Sequence, residues 1–209
     1  LPMTFPALVA LECYHCHSIE AAFGALRHLQ HFTRLCLVGC YLHQVPLQLS
    51  ELQGLRELDL GGNSQLNGEG LQHATGLTAL GLSGCRLATM PPQLSSLSSL
   101  QMLDFSENGS SEGSDEVALQ PLQHLTGLTR LNLSKCWLRD LPSYLSSLTR
   151  LQDLSVAESR PHPGALPARL QPLRHFTSLT RLDLSSCTLT LLPTPLSALQ
   201  SLQVLQLSK

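Results

Sequence analysis

The sequence has few charged residues, few aromatic residues and almost no lysine, and these shortages exclude several kinds of protein. Charged residues make up 13% of the 209 residues, and only two of the 13 basic residues are lysines. No cluster of lysine and arginine is present to neutralise several phosphates, which argues against a nucleic-acid-binding protein. The longest apolar runs contain about five residues, whereas a membrane-spanning helix needs roughly twenty. We therefore predict no nucleic-acid partner and no membrane insertion.

Motifs of catalytic sites are also missing. The sequence contains no phosphate-binding glycine loop, no H-E-x-x-H motif and no nucleophile elbow. Residues 13–17, which read Cys-Tyr-His-Cys-His, formally match the haem c attachment motif. Cys13 and Cys16 nevertheless fall at positions where a leucine repeat along the chain places buried side chains, which favours structural thiols over a haem or zinc site. We predict a protein that is not an enzyme and that holds no cofactor or metal.

Leucine is the abundant residue, with 50 copies in the chain. The leucines follow a pattern in which the first, fourth and sixth positions are apolar and the ninth is usually Cys or Asn. Nine copies of this pattern, 22 to 28 residues apart, begin at Leu8, Phe32, Leu55, Leu77, Leu100, Leu128, Leu151, Leu179 and Leu202. Alternation around the fourth position predicts a short, half-buried strand in each copy. Because one strand buries too little to be stable, we expect the copies to stack in parallel around a continuous core.

This pattern resembles that of the leucine-rich-repeat family. The resemblance implies an α/β solenoid, or horseshoe, with a parallel sheet on the concave side and short helices or 3₁₀ turns on the convex side. Copies with Cys at the ninth position alternate with more variable copies, so we expect one helix per pair of repeats, as in residues 119–125. Residues 1–209 are then a single domain of about nine repeats. The last copy stops inside its strand, which predicts a piece of a longer array.

Two insertions, residues 108–116 and 158–164, lengthen the two longest copies. One interpretation is loop variation that a surface tolerates at little cost. The alternatives are a rim that contacts a partner and, for the acidic serine-rich first insertion, a phosphorylated loop.

The repeat register places the cysteines in the core or at the ninth position, with the exception of Cys36, which falls at an outward strand position. From Cys40 onward, the ninth-position cysteines are two repeats apart, or about 10 Å at the spacing of parallel strands. A disulfide spans roughly 7 Å at most between Cα atoms. We therefore predict free thiols, a reducing compartment and a cytoplasmic protein.

Histidine recurs at one position in every pair of repeats, namely at His28, His73, His124 and His175. Neighbouring members of this series are again about 10 Å apart, too far for a shared metal ion. We interpret them as residues that end convex segments, where a histidine donor suits the exposed carbonyl groups.

The resemblance also implies that a partner binds the concave face, which carries the third and fifth residues of each copy. The candidates on this face are Met102, Asp104, Arg130, Asp153 and Arg181. Because neighbouring copies lie about 4.8 Å apart, Asp153 is placed to pair with Arg130 and Arg181, and Arg34 with Glu57. We expect these pairs to leave no strong field of one sign.

Small side chains predict a low, weakly polar saddle in the middle of the concave face. The saddle consists of Ala79, Gly81, Ser83, Gly84 and Met102. Trp137 and Tyr41 follow ninth-position cysteines and are predicted to lie on one edge of the sheet. They either cover the end of the core or anchor a partner, as tryptophan and tyrosine often do.

These patterns predict a non-catalytic scaffold for protein–protein interaction, or one subunit of a larger assembly. A first alternative is the ligand-sensing segment of a larger intracellular receptor. The L-x-x-L-P run at residues 138–142, together with Cys at the ninth position, is similar to the repeats of plant immune receptors. A second alternative is the substrate-recognition segment of a ubiquitin-ligase adaptor.

Overall fold

Nine parallel strands form one open sheet in which they follow the order of the chain. The computed structural model of the protein describes residues 7–17, 19, 31–109, 118–138, 140–158, 170–187 and 192–208. The strands are β1 (Ala10–Tyr14), β2 (Arg34–Val38), β3 (Glu57–Asp59), β4 (Ala79–Gly81), β5 (Met102–Asp104), β6 (Arg130–Asn132), β7 (Asp153–Ser155), β8 (Arg181–Asp183) and β9 (Val204–Gln206). Each strand covers at least the third to fifth positions of one predicted copy, and β1 and β2 extend to the seventh. The predicted solenoid with a parallel sheet is confirmed.

The register of the sheet is set by the central leucine of each strand. Leu58 pairs with Leu80, which in turn pairs with Leu103. All three side chains are buried, whereas the residues on either side face the concave surface. A shift by one residue would expose every central leucine, so this alternation holds the copies in register. His28 lies outside the described residues, as do residues 110–117 and 159–169, which include most of the insertions at 108–116 and 158–164.

The convex segments are 3₁₀ turns throughout the described part of the chain, so the expectation of one helix per pair of repeats is wrong there. The turns are η1 (Leu47–Glu51), η2 (Leu71–His73), η3 (Pro92–Ser96), η4 (Gln120–His124), η5 (Ser143–Ser147), η6 (Gln171–His175) and η7 (Thr194–Ala198). In η4, the predicted helix at 119–125, the Leu122 N–H donates to the Leu119 carbonyl. Leu119, Leu122 and Leu125 are all fully buried. A spacing of three residues suits the three-residue turn of a 3₁₀ helix, which brings all three leucines to one face.

The core is one continuous column of leucine side chains, with Phe32, Phe105 and Phe176 fully buried among them. At β9 the column is less well covered. Leu205 is half-buried there, and the side chain of Leu207 is 42% exposed.

The ninth-position cysteines link each repeat to the repeat before it through a hydrogen bond. The Cys85 thiol donates to the Leu60 carbonyl at 3.2 Å, and the Cys136 thiol donates to the Phe105 carbonyl at 3.1 Å. Leu60 and Phe105 both occupy the sixth position of the preceding copy. The ninth-position side chain thus meets the backbone of the preceding repeat.

Asparagine at the ninth position makes more of these bonds than cysteine does. The Asn63 amide donates to the Leu37 carbonyl at 2.9 Å and to the Leu60 carbonyl at 2.7 Å. Its oxygen accepts the Leu42 N–H at 3.0 Å. Asn108 repeats this arrangement two copies later. One asparagine therefore satisfies three buried backbone groups, two of which belong to the preceding repeat.

All seven cysteines are free thiols, and burial favours the protonated form of Cys40, Cys85 and Cys136. Desolvation raises the pKa of Cys85 to about 11 and that of Cys136 to about 12. Desolvation likewise raises the pKa of Cys40. These thiols therefore keep the proton that each one donates to a carbonyl group.

Replacing Asn63 with Ala should destabilise the protein more than replacing Cys85 with Ala. The first change leaves the Leu37 carbonyl and the Leu42 N–H buried without a partner and should lower the free energy of unfolding by about 3 kcal/mol. The second removes one weak thiol donor and should cost about 1 kcal/mol. Urea denaturation measures both changes. Equal losses would show that the additional asparagine bonds add no stability.

The raised thiol pKa values predict a loss of stability at alkaline pH. An unfolded thiol ionises near pH 8.5, whereas Cys85 and Cys136 resist ionisation while the protein is folded. Their contribution should be constant below about pH 8 and should decline as the pH rises through about 8.5 towards 12. Urea unfolding across this range tests the prediction. A variant with Cys85→Ser and Cys136→Ser should show a weaker decline, and an equal decline would contradict it.

Candidate functional site

A depression on the concave face lies over β1 to β5 and has a volume of about 390 Å³. It is lined by Glu12, Tyr14, Arg34, Leu35, Cys36, Glu57, Leu58, Asp59, Ala79, Leu80, Gly81, Ser83, Met102 and Asp104. Four of the five predicted saddle residues are among these side chains; Gly84 is the exception. The depression is therefore the predicted saddle, extended towards β1.

Gly81 has no side chain, which keeps the floor of the depression low and leaves space for a neighbouring carboxylate. A Cβ atom at Gly81 would lie 2.5 Å from Oδ1 of Asp59 on the adjacent strand. The Asp59 side chain therefore lies across β4, where any larger residue would collide with it. Ala79 is the other small residue of this strand, so the floor of the depression stays low.

The depression is acidic, which differs from the expectation of a balanced face. Its lining includes four carboxylates and one guanidinium group. Arg34 forms the predicted ion pair with Glu57, with Nε 2.8 Å from Oε2. The remaining carboxylates belong to Glu12, Asp59 and Asp104, which occupy the fifth position on β1, β3 and β5. The sequence shows that these carboxylates occur on every second strand. The sequence argument considered only ion pairs between neighbouring strands, so it missed the negative charge that the three carboxylates add together.

Tyr14 borders the depression at β1 and was not among the predicted site residues. Its hydroxyl donates to Oε2 of Glu12 at 3.2 Å. The neighbouring Cys36 thiol and the Glu12 carboxylate raise the pKa of Tyr14 to about 12. Cys36 lies on the concave side, at the outward strand position that the sequence predicted. It is nevertheless only 8% exposed and lies next to Tyr14. The seventh position of the copy, which Tyr14 occupies, is the signal in the sequence that could have identified this residue.

Asp104, a predicted site residue, accepts hydrogen bonds from the turn that follows its own strand. Its Oδ1 atom accepts the Ser106 N–H at 3.0 Å and the Ser106 hydroxyl at 2.6 Å. Asp59 and Asp183 accept the N–H two residues further on in the same manner. This is the local bond by which aspartate stabilises a turn. These carboxylates are therefore held in fixed positions on the face.

Met102, Arg130, Asp153 and Arg181 lie side by side on β5 to β8, as predicted. Arg181 forms an ion pair with Asp153, with Nε 3.8 Å from Oδ2. The guanidinium group of Arg130 instead contacts the sulfur atom of Met102 at 3.6 Å. Only one of the two arginines next to Asp153 therefore pairs with it. This half of the face is close to neutral because Asp183 adds a second carboxylate.

The eighth position of the first eight copies is left-handed, with φ between 53° and 71°. It is occupied by His15, Gly39, Gly62, Gly84, Glu107, Lys135, Glu158 and Ser186. The backbone N–H at this position donates to the seventh-position carbonyl of the next copy, as Gly62 does to Ser83 at 2.7 Å. Such a φ is uncommon for residues other than glycine, and here it extends the sheet ladder beyond the strands.

A second depression, of about 510 Å³, lies along this eighth-position edge. Lys135 is paired there with Glu107 at 2.9 Å and with Glu158 at 3.9 Å. The hydrogen bond from Lys135 to Glu107 raises the pKa of the lysine. Trp137 is half-buried and lines the same depression, together with Ser186. The predicted edge position of Trp137 agrees with the structure.

Tyr41, the other aromatic residue predicted for this edge, is separate from Trp137. Its side chain is 59% exposed and stacks on His17, with ring centroids 4.3 Å apart and planes 12° apart. Because it is so exposed, Tyr41 does not seal the end of the core.

The residues of the motifs that suggested metal or haem lie against the core or at the ends of convex turns. Cys13 and Cys16 pack against the core, and desolvation raises the pKa of Cys13 to about 11. His73, His124 and His175 are the last residues of η2, η4 and η6. Across the described ranges, no three His, Cys, Asp or Glu side chains lie close enough together to hold a metal ion. Nor does any helix in those ranges have the length and apolar character needed to cross a membrane.

Comparison with known proteins identifies the fold. Residues 178–199 match the family model described as Leucine Rich Repeat. No curated protein sequence matches the chain. Among solved structures, the chain is similar to the internalin InlF from Listeria monocytogenes, with a TM-score of 0.68 and 22% identity over 88% of this chain and 49% of that one.

Two further solved structures agree with this result. Internalin C2 from Listeria monocytogenes gives a TM-score of 0.74 and 21% identity over 96% of this chain and 80% of that one. The plant peptide hormone receptor RGFR1, solved in complex with RGF2, gives 0.62 and 21% over 96% of this chain and 32% of that one. The chain thus spans about half the length of InlF and about a third of the receptor. These similarities confirm the leucine-rich-repeat resemblance at the level of the fold.

Asp104→Ala should lower stability by about 1–2 kcal/mol, because it leaves the Ser106 N–H without its acceptor. Asp104→Asn keeps an oxygen at the same place and should change stability by less than about 0.5 kcal/mol. Thermal melting of the two variants measures the difference. If both variants melt at the same temperature as the unchanged protein, the turn does not depend on this bond.

Proposed function

We propose that this chain, which has the leucine-rich-repeat fold, is a non-catalytic scaffold that holds a segment of another protein on its concave face. The observation that carries the proposal is the depression over β1 to β5. Its floor is made of small side chains, and its rim carries Tyr14 and Met102. Ligand sites are typically concave and combine an apolar floor with a few fixed polar groups. The remaining predicted contacts, Arg130, Asp153 and Arg181, continue the same face.

The rigidity of the face supports this function. Every strand is hydrogen-bonded to its neighbours, and the Asp59 and Asp104 carboxylates are fixed by bonds to their own turns. A surface that is already ordered loses little conformational entropy when a partner binds. The same surface would serve a subunit of a larger assembly.

The edge that carries Trp137 is the second candidate surface. Trp137 is half-buried there, next to the Glu107–Lys135–Glu158 ion pairs. Tryptophan is enriched at binding hot spots, which supports this edge as a contact surface. Tyr41 lies on the same edge, near β2. A partner that contacts both the concave face and this edge is compatible with the proposal.

The alternative functions use the same surfaces. A ligand-sensing segment of a larger receptor is supported by the similarity to RGFR1, which was solved with a bound peptide hormone. A substrate-recognition segment of a ubiquitin-ligase adaptor remains the third hypothesis. Seven free thiols support our proposal of a reducing, cytoplasmic location over an oxidising one.

Selection of peptides on the unchanged protein, followed by affinity measurements on variants, tests the proposal. Ala79→Trp fills the depression and should weaken the selected peptides at least about tenfold, because it removes the space that they occupy. Ala88→Trp makes the same change at an exposed residue outside the depression and should leave their affinity within about twofold. Melting temperatures of both variants establish that they are folded.

The Trp137→Ala variant distinguishes the edge from the concave face as the surface that binds the selected peptides. Peptides that lose affinity on this variant but not on Ala79→Trp would place the binding site on the edge instead of the concave face. Peptides unaffected by either variant would contradict the proposed function.

A further inference from the structure

We propose that Cys16 and Cys40 are a reversible disulfide pair, which a small disulfide such as oxidised glutathione converts into a covalent bond between the first two repeats. Both residues occupy the ninth position, Cys16 in the first copy and Cys40 in the second. The inference goes beyond the proposed function, because it concerns a covalent modification of the chain and does not depend on a partner. In a reducing compartment such a bond is transient and forms when oxidant is in excess.

The ninth position shows an irregularity at the start of the chain. From the second copy onward, cysteine alternates there with a polar residue, in the order Cys40, Asn63, Cys85, Asn108, Cys136, Ser159 and Cys187. Cys16 breaks this alternation, since the same rule calls for a polar residue in the first copy. It therefore gives the chain a single case of ninth-position cysteines in neighbouring copies.

Contacts on both sides of the ninth position hold these two copies in register beyond their strands. At the eighth position, a Cβ atom on Gly39 would lie 2.5 Å from Nδ1 of His15, so these two residues touch. At the tenth position, the rings of His17 and Tyr41 stack with their centroids 4.3 Å apart. The ninth-position residues between these two contacts must therefore lie opposite each other.

This register brings Cys16 and Cys40 within reach of a disulfide. Residues opposite each other in neighbouring copies are one strand spacing apart, about 4.8 Å, and disulfides join Cα atoms about 4.4 to 6.8 Å apart. Both side chains face the core: Cys40 belongs to it and Cys16 packs against it. Desolvation raises the pKa of Cys40, and interactions with Cys16 also contribute to the shift, which agrees with contact between the two residues.

The hydrogen bonds that the two thiols would lose on oxidation are long. The Cys16 thiol donates to the Tyr14 carbonyl within its own turn, at 3.6 Å. The Cys40 thiol donates to the Cys13 carbonyl at 3.4 Å, compared with 3.2 Å for the equivalent bond of Cys85. A thiol is a weak donor in any case, so a disulfide replaces little native stabilisation.

The different exposure of the two thiols sets the order of the reaction. Cys16 is partly exposed, whereas Cys40 is only 3% exposed. The Cys16 thiolate attacks one sulfur of oxidised glutathione, whose S–S bond breaks and releases one glutathione. The Cys40 thiolate then attacks the Cys16 sulfur and releases the second. The two cysteine protons end on the two glutathione thiols, so the protein loses the two electrons that glutathione disulfide gains.

Cys13 is the competing partner, because it lies near the same thiols. Desolvation raises its pKa to about 11, and Cys16 adds to the shift. However, the strand register places Cys13 opposite Leu37, three residues before Cys40. Its position favours Cys16 as the partner of Cys40, and variants can separate the two possibilities.

The bond would restrain the end of the sheet that carries part of the depression. Within the described ranges, β1 pairs with β2 alone. Glu12 and Tyr14 lie on β1 and line the depression. Oxidation would therefore hold these two side chains against the second repeat more firmly than the strand pairing does by itself.

Peptide mapping after treatment with oxidised glutathione tests the proposal. The reduced, folded protein is incubated with the reagent, its remaining thiols are blocked, and it is digested with trypsin without reduction. Cleavage after Arg27 and Arg34 puts Cys16 and Cys40 on different peptides, 1–27 and 35–56. We expect these two peptides to be joined and the protein mass to fall by about 2 Da. Glutathione adducts without this cross-link would overturn the proposal.

Four variants identify the sulfur atoms, because each of the two peptides contains two cysteines. Cys16→Ala and Cys40→Ala should lower the yield of the joined peptides at least about tenfold. The matched controls Cys13→Ala and Cys36→Ala remove the other thiol of each peptide and should keep the yield within about twofold. Melting temperatures establish that each variant is folded. A yield that is lost in Cys13→Ala and kept in Cys16→Ala would assign the bond to Cys13 and contradict the proposed pair.

Thermal melting measures whether the bond fits the native register. The bond closes a loop of about 25 residues, which restricts the unfolded chain, so the oxidised protein should melt at least about 5 °C above the reduced protein. Reduction with dithiothreitol should reverse the shift, and Cys16→Ala should show none after the same treatment. Amide hydrogens of β1 should exchange more slowly in the oxidised protein. A lower melting temperature on oxidation would show that the bond distorts the register, and would overturn a pair built into the fold.

Discussion

The structure depends on one constraint: each repeat buries too few apolar side chains to be stable alone, so it must stack on its neighbours at the spacing of one strand. Several sets of hydrogen bonds enforce that spacing. The strands pair along their length, the ninth-position side chain donates to the preceding repeat, and the eighth-position N–H donates to the following one. Cys85 and Gly62 illustrate the last two sets, through Leu60 and Ser83. A ninth-position residue must therefore be a small donor, and its burial keeps a thiol protonated.

The same constraint gives the concave face a regular backbone spacing. The backbone spacing is constant, so the backbones of residues at equivalent positions lie at multiples of the strand separation. Small residues between them decide whether the face is filled or hollow. Gly81 leaves space for Asp59, and Cys36 lies buried beside Tyr14, so three acidic side chains border a low floor. The core beneath the depression has the same construction elsewhere in the chain.

The eighth-position edge is the other product of the stacking. Five residues other than glycine adopt a left-handed φ there, a conformation that costs roughly 1 kcal/mol per residue. The inter-repeat hydrogen bond of each offsets part of that cost. The arrangement also lines up Glu107, Lys135 and Glu158 on successive repeats, next to Trp137. Stability and a candidate contact surface thus arise from one backbone geometry.

The sequence by itself determined the features that periodicity sets: the nine strands, their parallel order, the inward ninth position, the saddle at Ala79 and Gly81, and the ion pair between Arg34 and Glu57. A pattern that repeats with the stacked unit fixes which residues become neighbours, and this is why these features could be predicted. The sequence misjudged properties that depend on a single side chain's reach or on several strands together. Residues 120–124 form a 3₁₀ turn because Leu119, Leu122 and Leu125, which are three residues apart, share one buried face. Cys36 has the outward position that was predicted, but its low exposure of 8% was not. Arg130 extends to Met102 and leaves Asp153 to Arg181. Above all, the acidic depression became visible only when carboxylates two strands apart were placed around one hollow. Charge that accumulates over several strands depends on the packing of the small residues between them, and only the tertiary structure decides that.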